Sequence, residues 1–302
     1  MTKKMKIVVG ILAGLGVVLL GGAGFVFAQA SSFDASMSKT YDVALPQLAA
    51  VDDPAMIERG AHLAESLGAC RDCHGDDLGG KAMEDMGPIG SFAPPNITSG
   101  GVGKAYTDAE MARLLISGIK RDGTSVAFMP SGDFRWWPDE DIVALISWWR
   151  QQPAVDRPSG TNEVGTLGKV LDRQDMIPID IARRIDHDAP RETAPAPTPT
   201  AAYGSFVAKL CQGCHGPTLA GGPIPGAPPS MPVPSNLTPH ETGLAAWSKD
   251  DFYRVLDEGI NKDGKKLDPM MPLGTLKAMN ETEREALWAY LQKVPAKPFG
   301  ER

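Results

Sequence analysis

The sequence predicts a mainly α-helical protein. It reads as two tandem copies of one small helical unit behind a single N-terminal helix, which is either a transmembrane helix or a signal segment. Three observations carry this reading. An uncharged apolar run of 22 residues, 7–28, follows Lys3, Lys4 and Lys6. The motif Cys-x-x-Cys-His occurs twice, as Cys70-Arg71-Asp72-Cys73-His74 and as Cys211-Gln212-Gly213-Cys214-His215. Around the two motifs, helix starts, glycine stops and proline-bearing loops recur in one order.

The apolar run is about 33 Å long as a helix, enough to cross a bilayer, whereas the core of a secretory signal is nearer about 7–15 residues. It ends in Ala28-Gln29-Ala30, which has the small-residue form of a cleavage site. Length favours a retained anchor. On either reading the lysines stay in the cytoplasm and the rest of the chain is exported. Residues 1–30 are thus anchor or signal. Residues 31–53, with Ser, Asp, Thr and a Pro and little periodicity, read as a stalk.

The first unit spans residues 54–152. A helical pattern of Met56, Leu63 and Leu67, with His62 on it, leads into the first motif. A Gly/Pro-rich loop follows, holding Pro94-Pro95-Asn96-Ile97-Thr98. Thr107-Asp108-Ala109-Glu110 has the form of a capping box and opens a helix with Met111, Leu114 and Leu115 on one face, and Gly118 stops it. A loop with Phe128-Met129-Pro130 precedes Pro138-Asp139-Glu140-Asp141, which starts a helix with acids in its first turn. Ile142, Leu145, Ile146 and Trp149 give that helix an apolar face.

Residues 153–200 read as a Pro-rich interdomain linker. The part 167–185, with Met176, Ile177, Ile179 and Ile181, is apolar enough to lie across a neighbouring unit. His187 at its end reads as structural or solvated. Residues 194–200 read as extended spacer. The second unit, 201–302, repeats the first. Its loop holds Asn236-Leu237-Thr238, a helix runs from Ser248 to Gly259, Met270-Met271-Pro272 follows, and Thr282-Glu283-Arg284-Glu285 opens the last helix. Cys70 to Cys211, Thr107 to Ser248 and Gly118 to Gly259 are all 141 apart, and Met129 to Met271 is 142.

Cys-x-x-Cys-His is the attachment signature of haem c. Each thiol adds to a porphyrin vinyl group, and two cysteines three apart on a helical turn face the same way. The histidine that follows can turn its imidazole onto the iron. A zinc site built from two Cys pairs usually holds them about 15–20 residues apart, and a thioredoxin-like pair needs a strand-helix-strand setting that is missing here. The four cysteines of the chain all fall inside the two motifs, so two haems account for each of them. A net charge of −7 without a basic run beyond the N-terminus argues against nucleic acid as a partner.

With both motifs, the paired Met-Pro loops and the C-terminal helices, residues 54–152 and 201–298 resemble the di-haem cytochrome c family of duplicated class I domains. Asn236-Leu237-Thr238, Trp247-Ser248 and Leu287-Trp288-Ala289-Tyr290-Leu291 are also similar to the cytochrome subunits that accompany membrane-bound dehydrogenases. The resemblance implies two covalent haem c groups held by Cys70, Cys73, Cys211 and Cys214. It implies His74 and Met129 on one iron and His215 and Met271 on the other, with Met270 as the competitor of Met271. Met83, Met86, Met111 and Met279 read as core filler.

Asn96 and Asn236 sit in equivalent loops, where they either contact haem, orient the axial loop or only form turns. The function implied is single-electron transfer on the extracytoplasmic, periplasmic face of the membrane, without catalysis. The redox partners would be a dehydrogenase, a quinol-oxidising complex or a terminal oxidase. The alternative is a di-haem cytochrome c peroxidase, which needs one open iron site.

Overall fold

The computed structural model describes residues 2–82, 85–227 and 230–302. Met83 therefore lies outside the described residues. Twelve α-helices are described: α1 Lys3–Met37, α2 Pro54–Glu65, α3 Cys70–His74, α4 Asp108–Ser117, α5 Ser131–Phe134, α6 Asp139–Arg150, α7 Thr166–Arg173, α8 Ala201–Val207, α9 Lys209–His215, α10 Lys249–Glu258, α11 Leu273–Ala278 and α12 Glu281–Leu291. Among the described residues two short antiparallel strands, β1 Gly90–Ser91 and β2 Glu163–Val164, form the one sheet.

The repeat in sequence is a repeat in structure. In each copy the helix before the motif crosses the last helix of that copy: α2 on α6, and α8 on α12. Both crossings are made at a glycine. A Cβ on Gly60 would stand 2.0 Å from the Ala144 carbonyl oxygen, and one on Gly204 would stand 1.9 Å from that of Ala286. Only a residue without a side chain lets the backbones approach so closely. The capping box forms at Thr107 and Glu110, and its counterpart forms at Ser248 and Asp251. Gly118 and Gly259 stop their helices in the left-handed region, at φ 66° and 65°.

The last helix begins earlier than its pattern suggests. Asn280 caps it and Glu283 closes the capping box, so Thr282 lies inside the first turn. Met111 and Met279 are buried, as core filler should be, but Met86 is 41% exposed beside a 3-10 turn and fills no core.

Two stretches read as free chain are docked instead. α1 continues through residues 31–37, where Phe33 is buried, and the chain beyond lies along the first copy. There the Ala50 N–H donates to Asp108 and the Val51 N–H to Ser147 Oγ. Residues 155–162 lie back over the loop that follows the first motif. Ala194 still donates to the Trp136 carbonyl, so the free spacer is shorter than its composition implies. Beyond the end of α1 these segments lack periodicity because hydrogen bonds and isolated apolar anchors, not one continuous apolar face, hold them.

One apolar core runs through both copies. Phe206 meets Trp137 edge-on with ring centroids 6.3 Å apart, and Lys209 Nζ sits 4.1 Å from the Trp136 ring centroid. Polar contacts also join the copies: His62 Nε2 to Glu283 Oε1 at 2.8 Å, and Thr275 Oγ1 donating to Asp72 Oδ2 at 2.6 Å.

Candidate haem-binding sites

Each motif forms a short helical turn closed by a glycine, Gly75 or Gly216, at φ 84° or 83°. The turn brings its two cysteines to one side, and all four thiols are unbridged. Burial pushes the Cys70 and Cys211 thiols up to about 12, with their neighbouring thiols adding to the shift. Burial raises Cys73 as well. Among the described residues no cluster of three or more His, Cys, Asp or Glu side chains is arranged to hold a metal ion, so the four thiols do not converge on one zinc.

The two histidines are held alike. His74 Nδ1 lies 2.9 Å from the Pro95 carbonyl, and His215 Nδ1 lies 2.7 Å from the Ser235 carbonyl. A carbonyl only accepts, so Nδ1 carries the proton and Nε2 keeps its lone pair. Burial holds both imidazoles below the ordinary histidine range, partly offset by the carbonyl bond, which favours the neutral ring that a metal requires. Each histidine carbonyl accepts in turn from a glycine N–H further on, Gly80 or Gly221.

Asn96 and Asn236 build the loops that supply those carbonyls. Asn96 Nδ2 donates to the Val155 and Arg157 carbonyls, and its Oδ1 accepts from the Thr98 N–H and hydroxyl. Asn236 Nδ2 donates to Thr242 Oγ1 and the Lys297 carbonyl, and its Oδ1 accepts from both groups of Thr238. Each asparagine directly follows the residue whose carbonyl holds the histidine. No side-chain amide hydrogen of either asparagine is left for a ligand, and each side chain ties its loop to a distant segment of the chain.

Met129 and Met271 are both half-buried against the core, and each carbonyl accepts from the N–H two residues on, that of Ser131 or Leu273. Met270 is 54% exposed. His62 is taken up by Glu283 and Asn280, while His187 bonds the Ala182 carbonyl and meets Tyr41 edge-on. Sequence reasoning missed Pro95 and Ser235, whose contribution is a backbone carbonyl. It also missed Leu78 and Leu219, equivalent buried residues at φ 58° and 63° that turn the loop after each histidine.

The residues fit haem c: unbridged thiols on one turn, an imidazole with a free Nε2, and a thioether-bearing loop, all present twice. That arrangement defines a c-type cytochrome domain. Residues 198–291 match the family described as cytochrome C oxidase, cbb3-type, subunit III. Residues 198–291 are thus a cytochrome c domain, the class of domain that holds haem c and carries electrons.

The chain is also similar to cytochrome subunits of dehydrogenases. It is 26% identical over 275 residues to the cytochrome c subunit of the quinone alcohol dehydrogenase of Gluconobacter oxydans, covering 82% of this chain and 56% of that protein. It is 35% identical over 95 residues to the gluconate 2-dehydrogenase cytochrome c subunit of Pantoea cypripedii, 29% of this chain and 21% of that one. The fructose dehydrogenase cytochrome subunit of Gluconobacter japonicus is 30% identical over 112 residues, 34% of this chain and 23% of that one. The chain spans about half the length of the first of these relatives and less of the others.

Proposed function

We propose that the chain is a di-haem electron carrier in two cytochrome c domains, anchored by residues 7–28 with both domains on the periplasmic face. It would take single electrons from a membrane-linked dehydrogenase, or a quinol-oxidising complex, and pass them towards a terminal oxidase. One observation carries the reading. His74 and His215 are fixed by the same Nδ1–carbonyl bond at equivalent places, and each is paired downstream with a Met-Pro loop. The names of the relatives support a dehydrogenase as donor. α1 supports the anchor, since it runs unbroken through Ala28-Gln29-Ala30 and exposes Ile11, Leu12, Val17, Leu20 and Phe27 before that point.

Haem c supplies a one-electron ferric/ferrous couple, and a thioether ligand raises its potential relative to two histidines. The chain's own residues do the rest. Cys70, Cys73, Cys211 and Cys214 tether. The carbonyls of Pro95 and Ser235 aim the imidazoles of His74 and His215. Met129 and Met271 would supply the thioether ligands, Met271 rather than Met270 because Met270 is the more exposed. A site closed by two protein ligands changes little between redox states, which suits transfer and not catalysis.

The test is haem content per chain and the visible spectrum of the reduced protein with and without carbon monoxide. Two haems per chain, neither binding carbon monoxide readily, is the expected result. One haem binding it at once would overturn the carrier reading in favour of a peroxidase-like open iron.

A further inference from the structure

The two copies differ where the chain approaches the methionine. In the first copy, the connecting segment 177–185 lies antiparallel along residues 125–128. The Phe128 N–H donates to the Ile179 carbonyl at 3.1 Å, the Ile181 N–H to the Val126 carbonyl at 3.3 Å, and the Ala182 N–H to Ser125 Oγ at 2.9 Å. Ala127 and Asp180 form an isolated bridge. Phe128, directly before Met129, sits at φ 61°, a conformation costly for a bulky side chain. Its ring is held edge-on to Phe92 at 4.2 Å, in an apolar cluster with Phe33 and Ile179.

The segment is itself anchored. Buried Asp172 accepts from the Ile179 and Asp180 N–H groups through Oδ1 and binds Arg173 and Arg184. Asp180 accepts from Ser36 Oγ at 2.5 Å. The corresponding residues of the second copy, Asp268, Pro269 and Met270, are exposed, and among the described residues none of them is paired with another segment in this way.

We propose that residues 177–185 are a positioning strap for Met129, so that the methionine of the first haem is much harder to displace than Met271 of the second. This rests on the reading that Met129 and Met271 are the axial ligands. Ile179 and Asp172 are then positioning residues. They hold the strained Phe128 turn, and through it the Met129 backbone, in the one arrangement that keeps the thioether in place.

The experiment is an imidazole titration of the oxidised holoprotein, following the methionine-to-iron charge-transfer band, with Met129→Ala and Met271→Ala to assign each phase. Two phases are expected, the Met271 haem exchanging first. Asp172→Ala should move the later phase earlier by about tenfold, the size expected when a hydrogen bond to a charged group is lost. It should shift the potential of that haem alone, and Asp172→Asn, which keeps an acceptor oxygen, should restore it. Ile179→Ala keeps the backbone bonds and should act in the same direction if Asp172→Ala folds poorly.

A single phase in the wild type, a Met129 haem that exchanges first, or both strap variants leaving the later phase unmoved would overturn the strap. If Met129→Ala leaves the charge-transfer band at full strength, the ligand reading itself falls, and the strap with it.

Discussion

Asn96 and Asn236 illustrate what single residues reveal. Their spacing announced that they are equivalent, but not which of three roles they fill, because the role depends on partners about 60 residues away in each copy, Val155 and Lys297. Replacing Asn96 by Leu leaves buried carbonyl and N–H groups unpaired, and the expected cost is about 3 kcal/mol. Chemical denaturation of the holoprotein measures it, and a loss below about 0.5 kcal/mol would refute the loop-locking role. The motif cysteines and histidines were legible because their chemistry dictates their spacing. The carbonyls of Pro95 and Ser235 were not, since any residue has one. Met86 was misread because composition alone does not distinguish a core methionine from an exposed one.

At the scale of elements, the local signals disclosed the long helices and the capping box at Thr107, because they lie within a few residues of one another, whereas at Ser248 only the helix start was legible and the box closed by Asp251 was not. The crossing of α8 on α12 was not legible, since Gly204 matters only through its approach to Ala286. Gly204→Ala forces a methyl group into a backbone contact between two helices that no rotamer change relieves. The expected loss is about 3 kcal/mol, read as a lowered guanidinium midpoint with both haems still attached. An unchanged midpoint would show that the crossing has slack. The docked segments 38–53 and 155–162 escaped detection for the opposite reason: their contacts are dispersed backbone and side-chain hydrogen bonds with a few apolar anchors such as Leu48, and they carry no regular pattern.

At the scale of the whole molecule, His62 and Glu283 join the copies across their interface. The hydrogen bond to buried Glu283 raises the His62 pKa above its ordinary value, with burial opposing and Arg59 weakly lowering it. A raised folded-state pKa means the contribution is complete below about pH 6.5 and is lost as pH rises through the folded value. The unfolding midpoint should therefore fall more steeply above about pH 6.5 in the wild type than in Glu283→Gln, and parallel profiles would refute the linkage. The duplicated architecture was legible from its offsets, but the joining of the copies into one core was not, because Trp137 and Phe206 belong to different repeats.

The docking of the end of α1 has a consequence at the same scale. Phe33 is buried with Ile179, Ser36 bonds Asp180, and the Tyr41 N–H donates to the Gly123 carbonyl, so the helix leaves the first copy at a set angle and not through a swivel. With α1 in a bilayer, the body could not tumble, and one flank would always face along the membrane plane. Partners embedded in the same leaflet would then meet it by lateral diffusion in two dimensions, already correctly turned, and a soluble acceptor could reach only the flank pointing away.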